Sequence, residues 1–185
     1  MSMGVTGNPQ TGNPYIVTPP DVTRIIRYVD VYKFIDLVVT RSLYFCRLDR
    51  LVVDPMEGRL PQRVIDKDDF VANQAATMAE VVRECVCVNC WHCRDTENLQ
   101  MWDEYAAGGT GLAIRSTIGM LKTALSPAAG EQFIGEVRYV DHLNDDCDMN
   151  GRDLTAAICL KDHSFRHENE VRVIMVTAAR WSPGR

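Results

Sequence analysis

The stretch CVCVNCWHC (residues 85–93) holds four of the chain's seven cysteines, and the fold turns on whether it is a metal knuckle or a strand. A four-cysteine zinc site needs two knuckles, each usually Cys-x2–4-Cys, brought together by an intervening loop. Cys87, Cys90 and Cys93 have the spacing of one knuckle, but Cys46, Cys147 and Cys159 stand alone. No Gly or Pro turns the chain between Cys85 and Trp91, and thiols alternate with valines. The pattern predicts a strand with Cys85, Cys87 and Asn89 on one face and Val86, Val88 and Cys90 on the other. Its thiols then act as small buried hydrophobes. Adjacent strand residues point opposite ways, so neither Cys90 nor Cys93 is set up with His92 as a nucleophile and base.

Upstream, DKDDFVANQAATMAEVVREC (66–85) reads as a helix with acids at its start and Phe70, Ala75, Met78 and Val82 near one face. Downstream, DTENLQMWDEYAAGG (95–109) reads as a helix capped by Asp95 or Thr96. Leu99, Trp102 and Ala106 form its stripe, and Gly108 and Gly109 stop it. VTRIIRYV (22–29) is a strand, and DVYKFIDLVV (30–39) a helix with Asp30 as N-cap and Val31, Phe34, Ile35 and Val38 inward. SLYFCRL (42–48) is a second strand and VDPMEGRLP (53–61) a loop. GLAIRST (111–117), FIGEVRYVD (133–141) and EVRVIMV (170–176) are strands; IGMLKTAL (118–125), ended by Ser126-Pro127, and LTAAICLKDHSFRHE (154–168) are helices. Short strands and helices without a regular βαβ rhythm give an α+β fold, a mixed or antiparallel central sheet flanked by short helices.

The chain of 185 residues, 46% hydrophobic, is the length of one domain. Residues 1–20, rich in Gly, Pro, Asn and Thr, form a flexible arm, and residues 21–185 a single domain. A net charge of -5 argues against a general nucleic-acid footprint. No apolar run approaches the roughly 20 residues that span a bilayer, and no basic-then-apolar leader opens the chain. The odd cysteine count fits no secreted disulfide framework. The expectation is a soluble, cytoplasmic protein with reduced thiols.

Three segments, CWHCRDTENLQMWDEYAAGGTGLAIRST (90–117), IGEVRYVD (134–141) and LKDHSFRHENEVRVI (160–174), together resemble the bacterial domain of unknown function 2971 family. The resemblance covers residues 24–176. Where that family commonly has Glu-Ser before Met-Trp, this chain has Glu97-Asn98, and Cys85, Cys87 and Cys93 are particular to it. The family implies a soluble protein and assigns no activity.

Glu168 and Glu170 open the last strand, and two carboxylates on one face can divide into an ionised and a proton-retaining member. This Glu-x-Glu resembles the catalytic element of ADP-ribosyltransferases, whose other elements are an early-strand arginine and a Ser-Thr strand. Arg27 and Ser116-Thr117 fill those places in chain order. That resemblance implies NAD as cofactor. Arg27 would hold its pyrophosphate, Ser116 its nicotinamide ribose, and Glu170 the cationic sugar in the transition state, while Glu168 activates an acceptor such as a protein. Tyr28, Thr117, His92 and Trp91 complete the cofactor-binding set.

Two other readings stay open. Asp54, Glu57, Asp141, Glu168 and Glu170, with Lys161, are enough to hold Mg2+ for phosphodiester hydrolysis, although metal is not favoured. Alternatively Trp91, Trp102, Tyr105, Tyr139 and His92 line a pocket for a small molecule, a nucleotide or a protein partner without catalysis. The bland counterpart of the transferase reading is a structural ion-pair network of Arg27, Glu170 and Arg172.

Overall fold

The structure is a computed structural model that describes residues 14–106, 110–125 and 132–177. Strand β1 (Arg24–Asp30) leads into helix α1 (Val31–Thr40), where the Asp30 carboxylate accepts from the Lys33 N–H at 2.8 Å. That bond satisfies one of the donors left open at a helix start. Val31, Phe34 and Leu37 are the half-buried positions of α1, whereas the expected Ile35 and Val38 are exposed. Only Cys46–Arg47 of the expected second strand pairs, as β2. Helices α2 (Gln62–Ile65) and α3 (Asp69–Cys85) follow a loop in which Gly58 adopts a left-handed φ of 71° that favours glycine. Asp68 caps α3, and Val71 rather than Phe70 turns inward.

Strand β3 (Val86–His92) confirms the strand reading of the cysteine stretch, with one correction: Cys85 closes α3 instead of opening the strand. Helix α4 (Leu99–Tyr105) is capped by Asn98, not by Asp95 or Thr96, and the shift turns Met101 inward and leaves Leu99 83% exposed. Strand β4 (Gly111–Thr117) and helix α5 (Ile118–Leu125) match expectation. The stops expected at Gly108, Gly109 and Ser126-Pro127 lie outside the described residues. The single strand expected over residues 133–141 is broken into β5 (Gln132–Glu136) and β6 (Arg138–Val140) by Val137, whose N–H donates to the Glu170 carbonyl.

The largest departure is residues 154–168. Two 3-10 segments, Leu154–Ala157 and His163–Glu168, flank a strand β7 (Leu160–Asp162) that pairs parallel with β6. Asp153 and Asp162 each cap the following 3-10 turn, and the run from Ala156 to Leu160 is buried. Such a continuous apolar run does not distinguish buried helix from buried strand by periodicity. Strand β8 (Glu170–Val176) completes the chain order.

The main sheet runs β4-β1-β3-β8-β5, with β2 also on β3, and every pairing in it is antiparallel. The molecule is thus a single α+β domain. One face carries Cys90, His92, Glu170, Arg172 and Ile174 towards α3 and the residues before β7; the other carries Ile25, Trp91, Val171 and Val173 towards α5. Residues 14–20, expected in the flexible arm, are instead pinned to the sheet. Ile16 is 2% exposed in the core, Val17 O accepts from Glu136 N, and Thr18 Oγ1 donates to Ile134 O. Gly135 makes room for this: a side chain there would meet Ile16 and Cys159 at 2.9 Å. Residues 1–13 of the expected arm lie outside the described residues. No described helix is long and apolar enough to cross a membrane.

Candidate functional site

Strands β1 and β3 share one ladder pair, Ile26 with His92, while the opposite end of β3 pairs with β2. Between those contacts the sheet opens, and a cavity of about 300 Å3 occupies the gap. Its walls come from Ile26, Arg27, Tyr28 and Val29 of β1, Val88, Cys90, Trp91 and His92 of β3, Tyr44 and Val53 at the surface, and a charged cluster.

The charged cluster is built around Arg172, 0% exposed on β8. Its Nε and Nη2 donate to the two oxygens of Glu170 at 2.7 and 3.2 Å, its Nη1 donates to Ile158 O at 2.8 Å, and Nη1 lies 2.6 Å from Glu57 Oε1. Lys161, brought in by β7, donates to Glu168 and, at 3.3 Å, to Glu170, and sits over the Phe165 ring. Tyr105 at the end of α4 donates to the other Glu168 oxygen at 2.7 Å. Bidentate pairing and a lysine bridge are what make buried charge tolerable.

The two carboxylates are driven apart. Burial raises Glu170, but Arg172 and Lys161 outweigh it and hold the carboxyl far below the usual range. For Glu168 burial wins over Lys161, with Glu170 adding repulsion, and the carboxyl is raised. Burial lowers Lys161, yet Glu170 and Glu168 leave it raised. Burial, with Glu168 second, pushes the Tyr105 hydroxyl well up, so it stays a donor. The two carboxyls thus shift in opposite directions, and Glu168 sits in a 3-10 turn, not on the strand.

Across the cavity the chemistry differs. The Arg27 guanidinium lies 6.0 Å from the centre of the Trp91 ring, its Nη1 is buried with no hydrogen-bond partner among the described residues, and it joins no ion pair there. Trp91 is fixed by donating to Asn89 Oδ1 at 2.6 Å, while Asn89 donates to Tyr44 O. The His92 Nδ1 meets the Glu168 carbonyl at 2.5 Å, so Nδ1 carries the proton and the buried Nε2 keeps an unshared lone pair. Burial lowers His92 and favours that neutral form. Tyr28 packs edge-on against Trp102 and His92, and its hydroxyl accepts from Asn98 N at the start of α4.

The cavity therefore gathers Glu168, Glu170, Arg27, Tyr28, His92 and Trp91 from the expected site, but not Ser116 or Thr117. Ser116 lies opposite Ile25, on the face that β8 fills with Val171 and Val173, so it points away from Glu170; Arg27, two residues on from Ile25, shares that face but borders the gap between β1 and β3 and so lines the cavity. Thr117 accepts from Met120 N at the start of α5. The triad of Arg27, Ser116 and Glu170 is not assembled. Nor do the carboxylates named for Mg2+ converge alone. Glu57, Glu168 and Glu170 are balanced by Arg172 and Lys161, Asp54 accepts from Met56 N and Asp162 N, and Asp141 accepts from Leu143 N and Asn144 N.

Glu104, His167 and Glu168 bring three ligand atoms within 4.8 Å of one another. They are already engaged: His167 with Glu104 at 3.1 Å, Gln100 on the other Glu104 oxygen, and Lys161 and Tyr105 on Glu168. The Lys161 ammonium would repel a cation there. Of the bland network, Glu170 and Arg172 pair as expected and Arg27 does not.

Sequence reasoning groups Glu57 and Lys161 with the two glutamates, and Arg172 with Glu170, but misses that these form one charge-balanced cluster completed by Tyr105. The signal that could have found it is a basic residue amid the apolar runs of both Leu160–Asp162 and Glu170–Val176. Compared with known proteins, the chain matches no family model, no curated protein and no solved structure.

Proposed function

We propose that the opening between β1 and β3 is a binding site for a small organic molecule of nucleoside size. The observation that carries this is the joining, in one cavity of about 300 Å3, of aromatic walls and a buried, hydrogen-bonded charged cluster. That volume is at the lower end of small-molecule sites, roughly 300–1,000 Å3. It suits one ring system with its substituents better than a whole dinucleotide. Tyr28, Trp91 and Tyr44 offer ring faces and edges, His92 Nε2 an acceptor, and Glu168 a carboxyl held in place by Lys161 and Tyr105. Membership of the domain of unknown function 2971 family is likewise proposed, on the motifs alone.

The test is ligand-observed NMR with adenosine, AMP and NAD against wild type and Tyr44→Ala. Tyr44 is exposed at the mouth, so its loss spares the core. Binding of at least one probe, weakened about five- to tenfold in the variant, is expected from loss of an aromatic contact. Binding of none of them, or equal binding by the variant, contradicts the reading.

One observation favours a second reading, ribosyl transfer from NAD to an acceptor: burial raises the Glu168 carboxyl while Arg172 and Lys161 hold Glu170 far below the usual range, a separation of the kind that acid–base chemistry uses. Glu170 is already neutralised by Arg172 and Lys161, so in this reading Glu168 handles the proton and Glu170 orients Lys161. Nicotinamide release from NAD that is lost in Glu168→Gln supports it; no release by wild type sinks it.

A further inference from the structure

We infer that the cavity has an anion subsite at Arg27, so that its ligand joins a ring system to a carboxylate or phosphate. This rests on the reading of the cavity as a ligand site. Charged side chains are rarely taken out of water unpaired, and the two buried cations on the far wall, Arg172 and Lys161, obey that rule completely. Arg27 is half-buried, and the inner end of its guanidinium departs from the rule: Nη1 is buried without a hydrogen-bond partner among the described residues, and the face of Trp91 at 6.0 Å is a weak substitute for an anion.

The acids of the cavity leave Arg27 alone because each has its own partner: Glu170 and Glu57 hold Arg172, Glu168 holds Lys161, and Asp54 accepts backbone N–H groups. Burial pulls Arg27 below the ordinary arginine value, as expected for a guanidinium with no counter-charge. Arg27 also stands at a junction. A second cleft, of about 410 Å3, shares Arg27, Val29, Lys33 and Tyr44 with the first, and the Lys33 ammonium there is already paired with Asp30 at 2.9 Å, which leaves Arg27 as the unpaired cation of the junction among the described residues. An anion bound there meets a partly desolvated guanidinium with the planar fork that suits carboxylate and phosphate, while the attached ring reaches Trp91 and Tyr28.

Two matched pairs of probes test this by ligand-observed NMR: AMP against adenosine for phosphate, and benzoate against benzyl alcohol for carboxylate. The expected result is that the charged member of at least one pair binds about tenfold or more tightly than its neutral partner. In Arg27→Gln the two members become equal and the neutral one binds as before; in Arg27→Lys part of the preference returns. Whichever pair responds identifies the anion. Neutral and charged members binding wild type equally, or a preference that persists in Arg27→Gln, overturns the subsite while leaving the cavity reading intact. Binding of no probe overturns both. If Arg27→Gln fails to fold, as judged by its circular dichroism, the wild-type pairs alone decide.

Discussion

Arg27 and Arg172 stand on strands separated only by β3, and their surroundings are opposite in kind. Arg172 uses its guanidinium on Glu170, Glu57 and the Ile158 carbonyl, and is sealed from solvent. Arg27 has one aromatic face and an unpartnered Nη1. Desolvation acts on both, yet Arg172 is raised well above the usual value by Glu170 and Glu57 while Arg27 is lowered. The lesson is that a buried cation with its counter-charges in place holds the fold together, and a half-buried one without them is available to something else. The cavity between them thus has a structural wall and a recognition wall.

The strongest way to break this contrast is Arg172→Met. It strands Glu57 and leaves Glu170 with Lys161 alone, and leaving buried charge uncompensated costs about 3–5 kcal/mol, a loss to be read from the urea midpoint. A change below about 1 kcal/mol would mean that the network is not structural. Glu170→Gln preserves shape and removes the charge, with an expected loss of about 2 kcal/mol from a weakened charged hydrogen bond.

The same variant sharpens the pH dependence. Because the folded-state Glu170 is depressed, its contribution is present above the ordinary glutamate value of about 4.3 and is lost as pH falls below it. Glu170→Gln should therefore be less sensitive to acid than wild type. Glu168 carries the opposite sign. Its raised carboxyl favours the folded state at low pH, and that contribution declines as pH rises from about 4.3 through the raised value. Urea midpoints of Glu168→Gln should decline less than those of wild type over that range, a smaller effect because Glu170 still balances Lys161. The smallest effect is at Arg27. Arg27→Met should leave stability within about 1 kcal/mol of wild type or raise it, since no described ion pair is broken; a loss above about 2 kcal/mol would make Arg27 structural.

Much of this was legible in the chain. Strand β1, the Asp30 cap, strand β3 and strand β8 follow from alternation and capping residues, which act locally. The site was half legible: Glu168, Glu170, Arg27, Tyr28, His92 and Trp91 do meet at one cavity, but Ser116 was placed by chain order, and a sheet face depends on register. A register pairing Ser116 with Ile25 sends the hydroxyl to the wrong side, which no local pattern reveals. The strand within residues 154–168 was misread as helix because continuous burial from Ala156 to Leu160 erases the period that distinguishes helix from strand. Ile16 was misread because composition describes a segment's average, whereas one apolar residue with two backbone anchors fixes this one.

The most direct test of the contrast is NMR of the arginine side-chain Nε–H groups with AMP and benzoate added in turn. The account predicts that the Arg172 signal exchanges slowly with solvent and stays in place, while the Arg27 signal, assigned through Arg27→Lys, shifts with at least one of the two anions. An Arg27 signal that ignores both anions, or an Arg172 signal that exchanges freely, would contradict it.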